Sequence, residues 1–434
     1  MNDHPLRQVL HNEVHARPPE PMQGPLAISH FVMLADPAAA AASRAHLAAL
    51  LRDLHLPVPD EHINHLRTDL GAYRLRWELH TEFVSWSFIR PLPEGTTPSQ
   101  LPLSGGLDGV SQQWLSALPG ECLSRSHLWL LPARSVDGLN PAQGLLREDS
   151  LVASTVADGL GEVFTDFQIH PDGFGRIILV AGSISARRQG RLVQQLLEIE
   201  TYRLAAMLGL PAARQASRAL ADAERELASL ALAIRNASAS DEAALLDRLT
   251  RLAGEVEGQY AATHARFSAT RAYFELIDRR VQEIAESRNA GQQTIAEFIQ
   301  RRLTPARSTC EWAERRQNAL SERVSHMSNL LRTRVDFEQQ QSSQELLETM
   351  NRRQALQLKL QTTVEGLSVA AISYYLIGLL HYVAEGLEAR HWISSPSLFT
   401  AIAVPLVVLT VWFLMRRVHH QVLKSVANRQ SSGE

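Results

Sequence analysis

Residues 366–384 read GLSVAAISYYLIGLLHYVA and residues 396–415 read PSLFTAIAVPLVVLTVWFLM, runs of 19 and 20 residues with no formal charge. As helices rising ~1.5 Å per residue, each reaches roughly the 30 Å of a hydrocarbon core. Buried core helices can be as apolar, but two such runs only eleven residues apart favour a transmembrane hairpin. Flanking charge orients it. Arg352, Arg353 and Lys359 precede the first run, and Arg416, Arg417, Lys424 and Arg429 follow the second. The connecting EGLEARHWISS sets Arg390 against Glu385 and Glu388. Positive-inside bias then places both termini in the cytoplasm and the loop outside, with Trp392 and Trp412 as interfacial anchors. His381, near the outer end, reads as an interfacial side chain in preference to an ion-contacting one. Pro405 kinks the second span.

The opposite end, MNDHPLRQVLHNEVHARPP, has neither an apolar h-region nor a small-residue cleavage pattern, so it is not expected to be a signal peptide. A formal charge of −3 offers no general attraction for nucleic acid. Cys122 and Cys310 are the only cysteines, which argues against a disulfide framework or a cysteine zinc site.

Between these ends two textures follow one another. GPLAISHFVML (24–34) reads as a buried strand, and Asp36 to Leu54 as a helix with Asp36 as N-cap and Pro37 at N1. AYRLRWELH (72–80) and EFVSWSFI (82–89) alternate apolar and polar residues as adjacent antiparallel strands. A loop over 91–109, a short helix around Trp114 and strands at 126–132, 151–157, 162–170 and 175–182 complete a mixed α/β domain. After Ser185 helical patterning dominates, with breaks expected at Gly209–Pro211, at residues 236–241 and at Pro305. Val256, Tyr260, Thr263, Phe267, Thr270, Phe274, Ile277, Val281 and Ile284 recur in steps of four and three, the spacing of a coiled-coil seam. That spacing leaves open whether the seam packs within one chain or between copies. A second helix over about 306–360 carries a thinner stripe at Leu320, Val324, Met327, Leu331 and Val335.

The fold class is therefore α+β. A mixed α/β cytosolic domain spans 1–186 and a long antiparallel helical or coiled-coil stalk spans 187–362. The transmembrane hairpin occupies 363–415, and a basic cytosolic tail covers 416–434.

Catalytic patterns are scarce. HNEVH places His11 and His15 one turn apart, but a zincin needs H-E-x-x-H. At ~100° per residue, Glu13 points about 200° away from the histidine side. The apolar stripe of Leu6, Val9, Leu10 and Val14 makes the pair a flank of a packed helix that Pro18 and Pro19 end, and Arg17 is free to meet a carboxylate elsewhere. His62 and His65 lack a third ligand nearby, and Asp166, His170 and Asp172 read as a solvated hairpin end. No G-x-S-x-G, P-loop or G-x-G-x-x-G occurs. The expectation is a non-enzymatic protein with no cofactor and no metal.

NEVHARP (12–18), EIETYRLAAMLGLP (198–211) and RRQALQLKLQTTVEGLSVAAISYY (352–375) resemble a bacterial domain-of-unknown-function family of predicted membrane-anchored proteins. The resemblance covers nearly the whole chain and implies the bacterial inner membrane, without a mechanism. The layout is also similar to that of CorA-type magnesium channels, homo-pentamers whose first span lines the pore. Their Gly-Met-Asn signature is missing from GLLHYVAEG (378–386), so no pore residue carries over.

Two functions follow as expectations. One is a membrane-anchored module, homo-oligomeric through its helix seam, that offers the α/β domain to a cytosolic protein partner. The other is a CorA-like cation channel or transporter. Gly366 and Ala370 would allow close helix packing in it, and Glu385 and Glu388, with His381 nearby, would stand at the outer mouth.

Overall fold

The computed structural model describes residues 3–8, 10–11, 18–60, 63–136, 140–238, 240–388 and 395–430, with residues 418–430 by backbone alone. The chain forms two compact units, residues 1–329 and 330–434.

The first unit is built on a nine-stranded sheet. Its strands are β1 (Leu26–Leu34), β2 (His65–Asp69), β3 (Arg74–Leu79), β4 (Phe83–Pro91), β5 (Glu121–Pro132), β6 (Val152–Val156), β7 (Gly161–Thr165), β8 (Gly175–Ala181) and β9 (Ser287–Arg288). They lie in the order β2-β3-β4-β1-β5-β8-β7-β6-β9. Only the β5–β8 pair is parallel among these neighbours. The expected strands are present, though the one predicted over 162–170 stops at Thr165, and β2 and β9 were not anticipated.

Successive strand residues face opposite sides, and both sides are covered. On one, Phe31, Met33, Trp77, Trp86 and Phe88 pack with Leu47 and Leu51 of helix α1 (Pro37–Asp53). Asp36 caps α1 by accepting from the Ala39 N–H at 2.7 Å, with Pro37 in the first turn. A five-residue helix, α2 (Gln112–Ser116), follows β4. On the other side Ile28, Val32, Leu128 and Leu130 pack with Leu192, Val193, Leu196 and Leu197 of α3 (Ala186–Met207).

The helices expected to form a separate stalk thus begin as part of the sheet's own core. After α3 a single residue, Leu208, leads into α4 (Gly209–Asn236), so the Gly209–Pro211 break shrinks to a joint. Helix α5 (Glu242–Glu283) returns toward the sheet, where Phe274, Ile277 and Ile284 join the core of α3. Helix α6 (Ile295–Glu388) then starts and runs through Pro305 without ending. Leu303, Ala306 and Cys310 are buried around that proline; the packing they gain offsets the lost backbone hydrogen bond.

The start of α6 is heavily capped. The Glu297 N–H donates to Thr294 Oγ1 and the Thr294 N–H to Glu297 Oε2, both at 3.1 Å, which is a capping box. Glu286 accepts from the Ile295 and Ala296 N–H groups at 3.0 and 2.7 Å, and from the Ser154 hydroxyl of β6 at 2.8 Å. The first amides of the helix are therefore satisfied, and the helix end is tied to the sheet edge.

In the second unit, which also holds helix α7 (Pro396–Gln430), residues 330–388 of α6 and 396–417 of α7 are largely unburied. Leu367, Tyr374 and Leu406 are 75%, 76% and 62% exposed. Both helices are long and apolar enough to cross a membrane, and only 11% and 6% of their most apolar stretches are buried.

Candidate functional site

The α3-facing side of β1–β4 is polar where a sheet core is normally apolar. Register places His30 opposite Ser87, Ser87 opposite Arg76, and Ser85 opposite Glu78. All five are buried. The alternation in RLRWEL produces this arrangement: Leu75 and Trp77 enter the α1 core, and Arg76 and Glu78 project the other way. Helix α3 roofs that side with Gln194, Leu197, Glu198, Thr201 and Tyr202. Together they line a small, partly open chamber of about 40 Å³.

Inside it, Arg76 Nη2 donates to Glu78 Oε1 at 2.6 Å. Thr201 gives its hydroxyl proton to the Leu197 carbonyl at 2.8 Å, so its oxygen is left to accept from His30 Nε2 at 3.5 Å. His30 Nδ1 then accepts from the Ser87 hydroxyl at 2.8 Å. Burial, with the neighbouring Arg76 charge second, pushes the His30 pKa down to about 3, and the ring is neutral at pH 7. Glu198 pairs with Arg280 of α5 and accepts from Gln194 Nε2 at 2.8 Å. Among the side chains that line the chamber, two buried atoms, Arg76 Nε and Gln194 Oε1, have no hydrogen-bond partner.

Beside the chamber lies a larger pocket of about 450 Å³ that shares His80, Phe83 and Tyr202 with it. Tyr273 of α5 completes the aromatic lining, stacked on Tyr202 with ring centroids 5.7 Å apart. Its hydroxyl donates to Glu82 at 2.7 Å, and Arg266 donates to the same carboxylate at 3.0 Å. Burial, followed by the bond to Glu82, raises the Tyr273 pKa. The arrangement is suited to holding a molecule.

Besides Ser87 and His30, a second Ser–His pair lies on the other face of the sheet, with Ser29 Oγ 2.8 Å from His127 Nδ1. Ser29 also accepts from the Gly106 N–H at 2.8 Å. Both residues are almost fully buried, and His127 stacks on Phe174 with centroids 3.9 Å apart. Gly105 adopts φ +58, and a Cβ there would lie 2.1 Å from His127 Nδ1. With no room for a substrate, the pair fastens the 102–110 loop to the sheet. Burial also pushes the His127 pKa down, to about 4.

Of the three residues expected at a solvated hairpin end, Asp172 is exposed, whereas Asp166 and His170 are buried. Asp166 is fully buried. It accepts from the Arg147 and Gln168 N–H groups at 2.9 and 3.1 Å and lies 2.9 Å from His170 Nε2. Among the described residues no three of His, Cys, Asp and Glu come together to hold a metal ion.

The seam residues are occupied within the chain. Val256, Phe267, Phe274, Ile277 and Ile284 are buried, and Tyr260 and Val281 are half-buried. Phe267 packs against Ala213 and Ala216 of α4 and Cys310 and Ala313 of α6. His381 Nδ1 lies 3.1 Å from Thr400 Oγ1, linking α6 to α7, and its Nε2 lies 3.6 Å from Glu385. Glu385 and Glu388 are exposed. His11 is exposed, whereas Glu13, His15 and Arg17 lie outside the described residues.

Sequence reasoning did not single out His30, Arg76, Glu78, Tyr202 or Tyr273. The available signal was the polar half of RLRWEL next to SWS, which a half-solvated hairpin explains equally well.

One family model, described as a protein of unknown function (DUF3422), matches residues 2–422. No curated protein and no solved structure matches the chain.

Proposed function

The chain belongs to the DUF3422 family of proteins of unknown function, and we propose that it is a non-enzymatic, membrane-anchored module of the bacterial inner membrane. Residues 363–415 hold it in the bilayer, and both termini and the α+β unit lie in the cytoplasm. The unit offers its surface and its polar cleft to a cytosolic partner. The observation that carries this reading is the exposure of the apolar helices. A core helix of a soluble protein buries its leucines, but here only 11% and 6% of the two apolar stretches are buried. Lipid is the solvent that removes the cost of leaving them uncovered. The flanking arginines and lysines support the orientation. The reading does not require oligomerisation through the α5 seam, since that seam is filled within the chain.

Membrane fractionation after a carbonate wash tests it. The intact protein is expected in the pellet, and a reporter fused after Glu434 on the cytoplasmic side. Leu376→Arg with Leu409→Arg puts one charge near each span centre, at about 2.5–3.5 kcal/mol apiece. This variant should shift protein to the soluble fraction. Intact protein that stays soluble without detergent ends the proposal.

A further inference from the structure

Resting on the membrane-anchored reading and going beyond it, we propose that residues 341–364 of α6 form a parallel coiled coil with the same segment of a second copy of this chain. The stretch is exposed at every position, and Leu346, Met350, Leu360 and Val364 are 56–68% exposed. With Arg353 and Gln357 between them, these four recur in alternating steps of four and three, the a and d spacing of a helix seam.

Charge follows the same heptad. Glu345, Glu348, Arg352 and Lys359 all fall on the outer c and f positions, and Arg353 is the one charged residue of the stretch on the seam side. The flanking e and g positions carry no charge, and Leu347 and Leu356 widen the apolar face there. Gln357 is a polar a-position residue of the kind that fixes register at some cost in stability. Arg353 lays its stem along the seam and keeps its guanidinium in water.

Lipid does not supply the cover. Helix α6 is unbroken from Ile295 to Glu388, so the stretch continues the line of the first span away from the bilayer for about 36 Å. Its own chain leaves the face open as well. Within the span, the His381–Thr400 contact and the buried Ser373 and Ala384 mark the side toward α7. The seam runs on through Leu367, Ala371 and Tyr374, all exposed, and Ala371 lies about 160° around the helix from Ser373. A cytosolic protein reaches residues 341–364 but not the span. A second copy reaches both, because its anchor sets it parallel and at equal depth, and one bilayer raises its effective concentration.

The test is disulfide trapping in native membranes, on the full chain with Cys122→Ser and Cys310→Ala to remove its two thiols. Leu346→Cys and Leu360→Cys on the seam, and Glu348→Cys and Lys359→Cys on the outer side, are each oxidised with copper phenanthroline. A parallel, in-register seam brings equal d positions within the Cα separation of about 4.4–6.8 Å that a disulfide spans. The seam variants should therefore form a species of twice 48.2 kDa about tenfold faster than the outer ones. Equal rates at all four positions, no dimer from either seam variant, or a seam product with a different protein would each overturn the proposal. Arg353→Leu removes the one seam charge and should lower the dimer dissociation constant in detergent about tenfold, read by light scattering; a raised constant would also overturn it. A chain that stays in the carbonate-washed pellet without trapping ends this inference alone, whereas a soluble chain ends the anchor.

Discussion

Leu130 in β5 is completely buried, whereas Leu406 in α7 is 62% exposed. The contrast holds region against region. Up to about residue 329 the large apolar side chains mostly meet other protein, and from Leu330 onward most of them do not. Apolar content alone does not separate the two regions; the rhythm of polar residues does. In the first, polar side chains alternate at strand or helix spacing and mark which face meets water. In the second, two runs of 19 and 20 residues carry no formal charge, so no face prefers water over lipid. One set of residues builds a core and the other leaves its apolar side chains uncovered.

The contrast can be broken most directly at its centre. Trp86→Ala removes a fully buried ring from the α1 side of the sheet and should cost about 3–5 kcal/mol in urea denaturation followed by tryptophan fluorescence. Leu406→Ala should leave that transition in place; an equal loss there would mean that α7 belongs to the same folding unit.

Acid sharpens the comparison next, because the buried histidines lie in the first region. His30 and His127 are held near pKa 3 and 4, below their unfolded value. The unfolded chain then binds more protons. The stability they represent is complete above about pH 6.5 and is lost as pH falls toward those values. At pH 5 the loss should be about 2 kcal/mol per histidine. Denaturation midpoints at pH 7.5 and 5.0 read it, and His30→Gln should flatten the difference. A wild-type midpoint unmoved at pH 5.0 would contradict the burial of both rings.

The smallest effect belongs to the surface of the helices. Arg225 and Asp222 form an ion pair with side chains 80% and 71% exposed. Arg225→Ala should produce no measurable shift, as water already screens the pair. A clear destabilisation would place that helix face against another surface.

Local signals were legible where one residue's own chemistry suffices. Asp36 followed by Pro37 marked the start of α1, and the alternation in RLRWEL and FVSWSF marked β3 and β4. Thr294 and Glu297, three residues apart, carry the spacing of the capping box that starts α6. What stayed hidden was the identity of each covering neighbour. The α5 seam advertises a partner at 3.5-residue spacing without saying whose chain supplies it; α3, α4 and α6 do. Arg76 and Glu78 look like the wet side of a hairpin until α3 closes over them. Asp166 and His170 look like turn residues until the 147–151 loop folds onto them.

The lengths of the apolar runs, the start of α1 and the two-residue strand rhythm are properties of neighbouring residues and are legible along the chain, whereas α6 starts at Ile295 and not near residue 306. The roof over the polar cleft, the sealing of Ser29 against His127 and the filling of the α5 seam involve residues 54 to 171 positions apart. Periodicity reveals that a face will be covered; three-dimensional packing alone chooses what covers it.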